Sequence, residues 1–248
     1  MVAIEKHKGI YVLRDDLLLG GTKSVLMPYI LKDSSVEEWV YASPVCGGFQ
    51  ISLSAYCKKR GVMATIVTPE RKKLHINTLK CMEYGAKIIE DKCGFLSGLE
   101  KKAVDYCKKD SYRNRKKVKF GGNNDKNRTI ISKRVDSVIK EFRTHMYKEP
   151  DEIWCAVGSG LLAESIHLAT ISSEVIGVQV GKEYENHLNM DRFTLMKYNN
   201  SKTKIGDMFS KISPIEPSFP SMPNYDLKAW EYCLKYSEGK NILFWNVM

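Results

Sequence analysis

The chain has 248 residues, 43% hydrophobic and 27% charged, the balance of a globular protein with room for one large domain or two lobes with real cores. Seven cysteines, an odd number with no CxxC pair, exclude a full disulfide framework, argue against a paired-ligand zinc site and read as reduced thiols. No run approaches the ~20 apolar residues that span a bilayer, and MVAIEKHKGIYVLRDD lacks the apolar stretch of a signal peptide, so the expected location is cytoplasmic with no membrane partner. The net charge of +10, from 39 Lys+Arg against 29 Asp+Glu, is spread along the chain. Its densest stretch, Arg113 to Lys119, reads as an exposed loop on a solvated surface; a nucleic-acid groove is the less favoured reading.

Glycines, prolines and apolar runs predict alternating strands and helices. Ile10–Leu13 reads as a strand and Lys23–Leu31 as a helix interrupted by Pro28. Trp39–Ala42 is a short apolar run, Ile51–Lys59 a helix and Val62–Val67 a buried strand. A helix over Asn77–Tyr84 is expected to stop at a left-handed Gly85, followed by a strand at Lys87–Glu90 and a helix at Leu99–Lys108. Val118–Phe120 reads as a strand, Gly121 to Asp125 as a turn-rich loop and Ile130–Met146 as the longest amphipathic helix. The strand Ile153–Val157 runs through Gly158-Ser159-Gly160 into a helix at Leu161–Thr170, and Val175–Val180 is the next strand. Residues 199–222 read as a long loop, Leu227–Tyr236 as a helix and Ile242–Trp245 as a strand. This order predicts the α/β class, with parallel sheet between helices.

Three glycine-rich junctions carry the chemistry. In Gly20-Gly21-Thr22-Lys23-Ser24 the lysine falls at a helix start, where the helix dipole disfavours an ammonium and makes the amine more nucleophilic. A phosphate-loop match fails, because Leu17 occupies the first-glycine position. A surface lysine after a Gly-Gly turn is the simpler reading of the pattern alone. Gly158-Ser159-Gly160 suits phosphate, since glycine lets backbone N–H groups approach closely at a helix start. GSGLLA formally fits a dinucleotide fingerprint, but the strand VIGVQV ends in Gln179-Val180-Gly181 with no acid for a ribose. Gly47-Gly48-Phe49-Gln50 is either a plain strand–helix turn or a cup of amides for a carboxylate. The histidines (His7, His75, His145, His167, His187) are scattered without metal spacing, no G-x-S-x-G elbow occurs, and Tyr56, Tyr84 and Trp230 read as core.

In order along the chain, LRDD, GGTK, GGFQ, GSG and MPNYDLKAW resemble the motifs of the 1-aminocyclopropane-1-carboxylate deaminase and D-cysteine desulfhydrase family. The matching residues are Arg14, Asp15, Asp16, Gly20, Gly21, Thr22, Lys23, Gly47, Gly48, Phe49, Gln50, Gly158, Ser159, Gly160 and Tyr225. Here Ile51 and Ser52 follow Gln50 where that family usually has Ser-Asn, and GSGLL replaces GSGGT. The resemblance implies a two-lobed, three-layer parallel-sheet fold of the tryptophan synthase β-like type, shortened at the C-terminus. It places residues 1–35 and 119–248 in a larger cofactor-binding lobe and 36–118 in a smaller one.

The same resemblance implies pyridoxal 5'-phosphate as cofactor, a deaminase or lyase (in hydrolase terms, release of ammonia) acting on a small amino acid, and a homodimer. Lys23 and Tyr225 would be catalytic, with Lys23 forming a Schiff base; Lys23, Gly158, Ser159, Gly160 and Asn246 would hold the cofactor. Gly47, Gly48, Gln50 and Ser52 would meet the substrate, and no metal is expected. The alternatives are a catalytically inert or nucleic-acid-associated relative with a basic surface, and a pyridoxal-phosphate enzyme acting on an aminoacylated polyanion.

Overall fold

A computed structural model describes residues 2–109, 113–119, 122–180, 183–185, 188–198, 211–239 and 241–248. Expectations for Phe120, Gly121, Gly181, His187 and residues 199–210 lie outside the described residues. The chain divides into two compact units, one of Met1–Leu18 with Gly122–Met248, the other of Leu19–Gly121. Each has its own sheet with helices on both faces, a three-layer α/β arrangement.

The first unit opens with a hairpin that the sequence pattern misses. β1 (Ile4–His7) pairs antiparallel with β2 (Ile10–Arg14) through a two-residue turn, Lys8-Gly9. Both turn residues have positive φ, 49° and 85°, the twist that joins hairpin strands without splaying them. β1 escapes notice because IEKH is half polar and lies at the sheet edge.

The second unit follows as one continuous run. The expected helix at Lys23–Leu31 is instead a 3-10 turn over Thr22–Leu26 leading into α1 (Met27–Ile30). Pro28 stands in the first turn of α1, where its missing N–H has no helical partner to lose, so it starts a helix and does not interrupt one. Leu26, Met27 and Leu31 are buried, and this segment packs on α2 (Phe49–Arg60), which follows β3 (Glu38–Ala42). Residues 19–35 therefore fold with this unit and not with the larger one, and the boundary falls at Leu19.

β4 (Met63–Pro69), α3 (Ile76–Glu83), β5 (Lys87–Asp91), α4 (Leu96–Lys108) and β6 (Arg115–Val118) complete the unit. As expected, α3 gives way to a left-handed Gly85, at φ 80°. The sheet order is β5-β4-β3-β6, all parallel. α4 covers one face through Leu99 and Ala103 on Val40, Ala42 and Val67, while α2 and α3 lie side by side on the other.

The basic stretch read as a loop contains an edge strand, β6, because its charges find partners far away in sequence. Arg115 Nε donates to the buried Glu38 at 2.7 Å, and Lys117 Nζ to Glu100 at 2.9 Å. Glu38 also accepts from Thr65 Oγ1 at 2.5 Å and Tyr106 OH at 2.9 Å, and the Arg115 guanidinium lies 4.5 Å from the Tyr106 ring centroid.

The remainder of the first unit begins with α5 (Asp125–Met146), longer than expected because Asn124 caps it by accepting from the Asn127 N–H at 3.0 Å. β7 (Glu152–Val157), α6 (Leu161–Ala169), β8 (Glu174–Gln179), β9 (Phe193–Lys197), α7 (Asp226–Tyr236) and β10 (Ile242–Asn246) follow. The sheet order is β1-β2-β10-β7-β8-β9, parallel throughout except at the hairpin. Alternation along β7 sends Trp154 and Ala156 toward Trp230 and Cys233 of α7; Phe219 and Phe244 each stack edge-on to Trp230 at 5.1 Å. α5 and α6 pack together on the opposite face.

Burial alone would raise the Glu38 pKa, but the hydroxyls of Thr65 and Tyr106 and the Arg115 guanidinium outweigh it and hold the carboxyl below its ordinary value. Stability from this group is complete above the unfolded carboxyl pKa of ~4.3 and is lost as pH falls through the lower folded value. Glu38→Ala is expected to cost about 3–5 kcal/mol in urea denaturation at pH 7. The gap between wild type and variant should narrow on titration from pH 5 to pH 3.

Candidate active site

In parallel α/β sheets, ligands gather at the carboxyl ends of the strands. In the first unit β7 ends at Val157, and Gly158, Ser159 and Gly160 carry the chain into α6. Gly160 is left-handed at φ 82°, and a Cβ there would overlap the Tyr184 ring, so only glycine fits. A Cβ on Gly158 would stand 3.0 Å from Tyr225 OH, and the Gly158 backbone hydrogen-bonds that phenol. Burial, then Asp226 and Cys155, push the Tyr225 pKa well above its ordinary value, so it remains a neutral phenol. Four of the expected residues, Gly158, Ser159, Gly160 and Tyr225, thus meet in one turn.

That turn is braced by side chains the sequence did not single out. Asn123 Nδ2 donates to the Ser159 carbonyl at 2.8 Å and to Glu164 Oε1 at 2.9 Å. Glu164, in the first turn of α6 and fully buried, also accepts from Arg128 Nη1 at 2.8 Å and Tyr184 OH at 2.8 Å. Arg128 in turn reaches Asn123 Oδ1 at 2.6 Å and Asp125 at 2.5 Å. A glutamate in a helix's first turn usually signals only a solvated face, and Asn123 sits in what reads as a plain turn, so neither stands out.

Asn246 ends β10, the strand beside β7. Its Nδ2 donates to Asp16 Oδ1 and to the Pro220 carbonyl, both at 2.8 Å, while its buried Oδ1 has no partner among the described residues. Asp16 is gripped by Arg14 through two contacts of 2.9 Å, and the fully buried Asp15 takes Arg134 at 2.5 Å and Trp245 Nε1 at 3.2 Å. The LRDD motif therefore works as a charge-paired anchor for its own strand.

In the second unit, Gly20 and Gly21 take φ 88° and 75° before the 3-10 turn that contains the half-buried Lys23. A five-residue 3-10 turn carries little dipole, so the helix-start activation expected for Lys23 is small. A Cβ on Gly20 would overlap the Ser52 backbone in α2, and Ser52 Oγ donates to the Gly20 carbonyl. Ser52, expected at the substrate, is fully buried and holds the lysine turn instead. Gly47, Gly48 and Gln50 are brought together at the start of α2, with Gly48 as its N-cap. Gln50 Nε2 donates to the Val45 carbonyl at 2.9 Å, and a Cβ on Gly47 would come within 2.9 Å of Ser43 Oγ.

Among the described residues no group of three or more His, Cys, Asp or Glu could hold a metal ion, and no helix is long and apolar enough to cross a membrane. No protein-family model and no curated protein matches the chain. Solved structures do match. A homologue of 1-aminocyclopropane-1-carboxylate deaminase aligns with a TM-score of 0.72 and 20% identity over 96% of this chain and 83% of its own. A hydrogen sulfide-producing enzyme from Fusobacterium nucleatum aligns at 0.69 and 12% identity, over 100% and 92%. An O-acetylserine-dependent cystathionine β-synthase from Helicobacter pylori aligns at 0.65 and 15%, over 100% and 91%.

The chain has the tryptophan synthase β-like fold of pyridoxal-phosphate-dependent enzymes. Within that fold Gly20 meets the Ser52 backbone, and Gly160 the Tyr184 ring, too closely for a Cβ.

Gly160→Ala is expected to lower the midpoint of thermal unfolding through both the Tyr184 overlap and left-handed strain. Adding Tyr184→Ala should recover the first part only, leaving a residual loss of roughly 1 kcal/mol relative to Tyr184→Ala alone. A fully additive pair of effects would show that ring and glycine do not meet.

Proposed function

We propose that the chain is a pyridoxal-phosphate-dependent deaminase or lyase acting on a small amino acid, with Lys23 as the lysine that attaches the cofactor. The observation that carries this reading is the Gly20–Lys23 turn, locked onto Ser52 by a contact that only glycine permits, within a fold whose solved neighbours include a deaminase homologue and a sulfide-producing enzyme.

The residues fit such a cofactor. The Gly158–Gly160 turn and the first N–H groups of α6 suit a phosphate, because those donors have no partner within the helix. The orphaned Asn246 Oδ1 is a buried acceptor in need of an N–H donor, the kind a protonated ring nitrogen supplies. When bound, pyridoxal phosphate supplies an electron sink for a carbanion on the substrate.

The protein's own groups do the rest. The Lys23 amine would hold the cofactor and, as a free amine, would take a proton from the substrate α- or β-carbon. Tyr225, kept a neutral phenol by burial, holds a proton at its hydroxyl as a hydrogen-bond donor. The Gly47 N–H is donated to the Pro44 carbonyl at 3.0 Å, which leaves the Gly48 amide at the start of α2 to receive the substrate carboxylate, with Gln50 beside it. None of the cysteines is in a disulfide, which supports a reducing, cytoplasmic setting. The nucleic-acid alternative loses support, since Arg115 and Lys117 are engaged by Glu38 and Glu100.

Incubation with pyridoxal phosphate followed by borohydride is expected to leave one reduced adduct, mapping to Lys23. Lys23→Ala should abolish the adduct while the circular dichroism spectrum stays unchanged. A label on another lysine, or none on wild type, refutes the reading. Arg113→Gln with Lys116→Gln should leave adduct formation intact, because both cations are exposed and neither is assigned to the chemistry.

A further inference from the structure

The buried polar groups of the Leu19–Gly121 unit are unevenly satisfied. Gln50 Oε1, Thr68 Oγ1, Thr78 Oγ1 and both amide atoms of Asn77 are enclosed with no hydrogen-bond partner among the described residues. All four residues are at most 1% exposed. Buried polar groups are almost always paired, and each one left alone costs about 1–3 kcal/mol, so five in one region mark a place where something else belongs.

Helix register and strand alternation place the four residues at the same end of the unit. Cys81 in α3 hydrogen-bonds Ser54 in α2, which sets the register of two helices running in the same direction from neighbouring parallel strands. One turn toward the N-terminus from that contact, Gln50 on α2 stands level with Asn77 and Thr78 on α3. On β4, Thr65 and Val67 face the α4 side, so alternation turns Thr68 toward α2 and α3, at the carboxyl end of the strand.

The chemistry of the set selects its ligand. None of the four side chains is charged. His75, the N-cap of α3, accepts from the Asn77 N–H at 3.2 Å through Nδ1, and burial lowers its pKa, which keeps it neutral. A carboxylate offers only acceptors and an ammonium only donors, and either would bury a charge with no counter-charge. A carboxamide has two N–H donors for Gln50 Oε1 and Asn77 Oδ1, and a carbonyl whose two lone pairs can take two of the three donors, Asn77 Nδ2 and the threonine hydroxyls.

We propose that Gln50, Thr68, Asn77 and Thr78 form a subsite for the side-chain carboxamide of an amino-acid ligand of the asparagine or glutamine type. The assignment rests on the reading above that the Gly48 amide receives the ligand's carboxylate, which puts its side chain beside Gln50.

Calorimetric titration of the full chain, with and without added pyridoxal phosphate, tests it with L-asparagine, L-glutamine, L-alanine and L-aspartate. The amide that fits is expected to bind at least tenfold more tightly than alanine or aspartate. Asn77→Leu with Thr78→Val should erase that preference and leave alanine binding within twofold. Asn77→Ser, which keeps a neutral polar side chain but removes both amide atoms, should lose the amide preference equally. Equal binding of amides and alanine, a preference that survives both variants, or a crystal structure with the amide in which ordered water alone fills the cluster would overturn the subsite. A chain that prefers amides but forms no borohydride adduct keeps the subsite and refutes the cofactor reading. A chain that forms the adduct on Lys23 with no amide preference does the reverse.

Discussion

The first unit depends on the fully buried carboxylate of Glu164 and its Arg128 partner. An ion pair out of water survives only when the remaining lone pairs are also filled, and here Asn123 and Tyr184 fill them. Each partner comes from a different stretch of chain, so filling the carboxylate also fixes the start of α5, the glycine turn through the Ser159 carbonyl, and the ring that closes over Gly160. The turn owes its shape to this charge as well as to its own glycines.

The second unit solves the same problem in another place. Glu38 lies at the start of a central strand, and its partners on β4, α4 and β6 draw an otherwise isolated basic strand into the sheet edge. Near the opposite ends of the strands the unit has no such charge. There it combines a lysine turn clamped on Ser52 with a group of polar side chains lacking partners of their own. Electrostatics is thus spent on holding the frame, while the strand ends present neutral hydrogen-bonding chemistry.

How much of this was legible follows physical lines. Strands buried on both faces, such as Ile153–Val157 and Val62–Val67, declared themselves as apolar runs, and Gly85 marked its helix end because only a left-handed residue fits there. β1 and β9 were missed because edge strands carry polar residues on an open side. β6 was read as loop because the partners that neutralise it, Glu38 and Glu100, lie far from it in sequence. At the site, Gly20, Gly21, Gly158 and Gly160 were visible as glycines, whereas Ser52 changed role once its hydroxyl proved to be donated to Gly20. Asn123, Arg128, Glu164 and Tyr184 left no local pattern, since a polar residue in a turn or first helical turn looks the same whether it faces water or a buried partner.

The position of β10 has a consequence for how the molecule comes into being. It lies between β2 and β7, pairing Leu243 with Tyr11 on one side and Ile153 on the other. The sheet of the first unit therefore has a gap in its middle until residues 242–246 emerge from the ribosome, and its hairpin must wait until then. The second unit is a single uninterrupted stretch that can close as soon as β6 has been made. Synthesis from the N-terminus thus sets an order, in which the unit holding Lys23 is complete while the other still exposes the unpaired flanks of β2 and β7, the state most open to misassembly and to capture by chaperones.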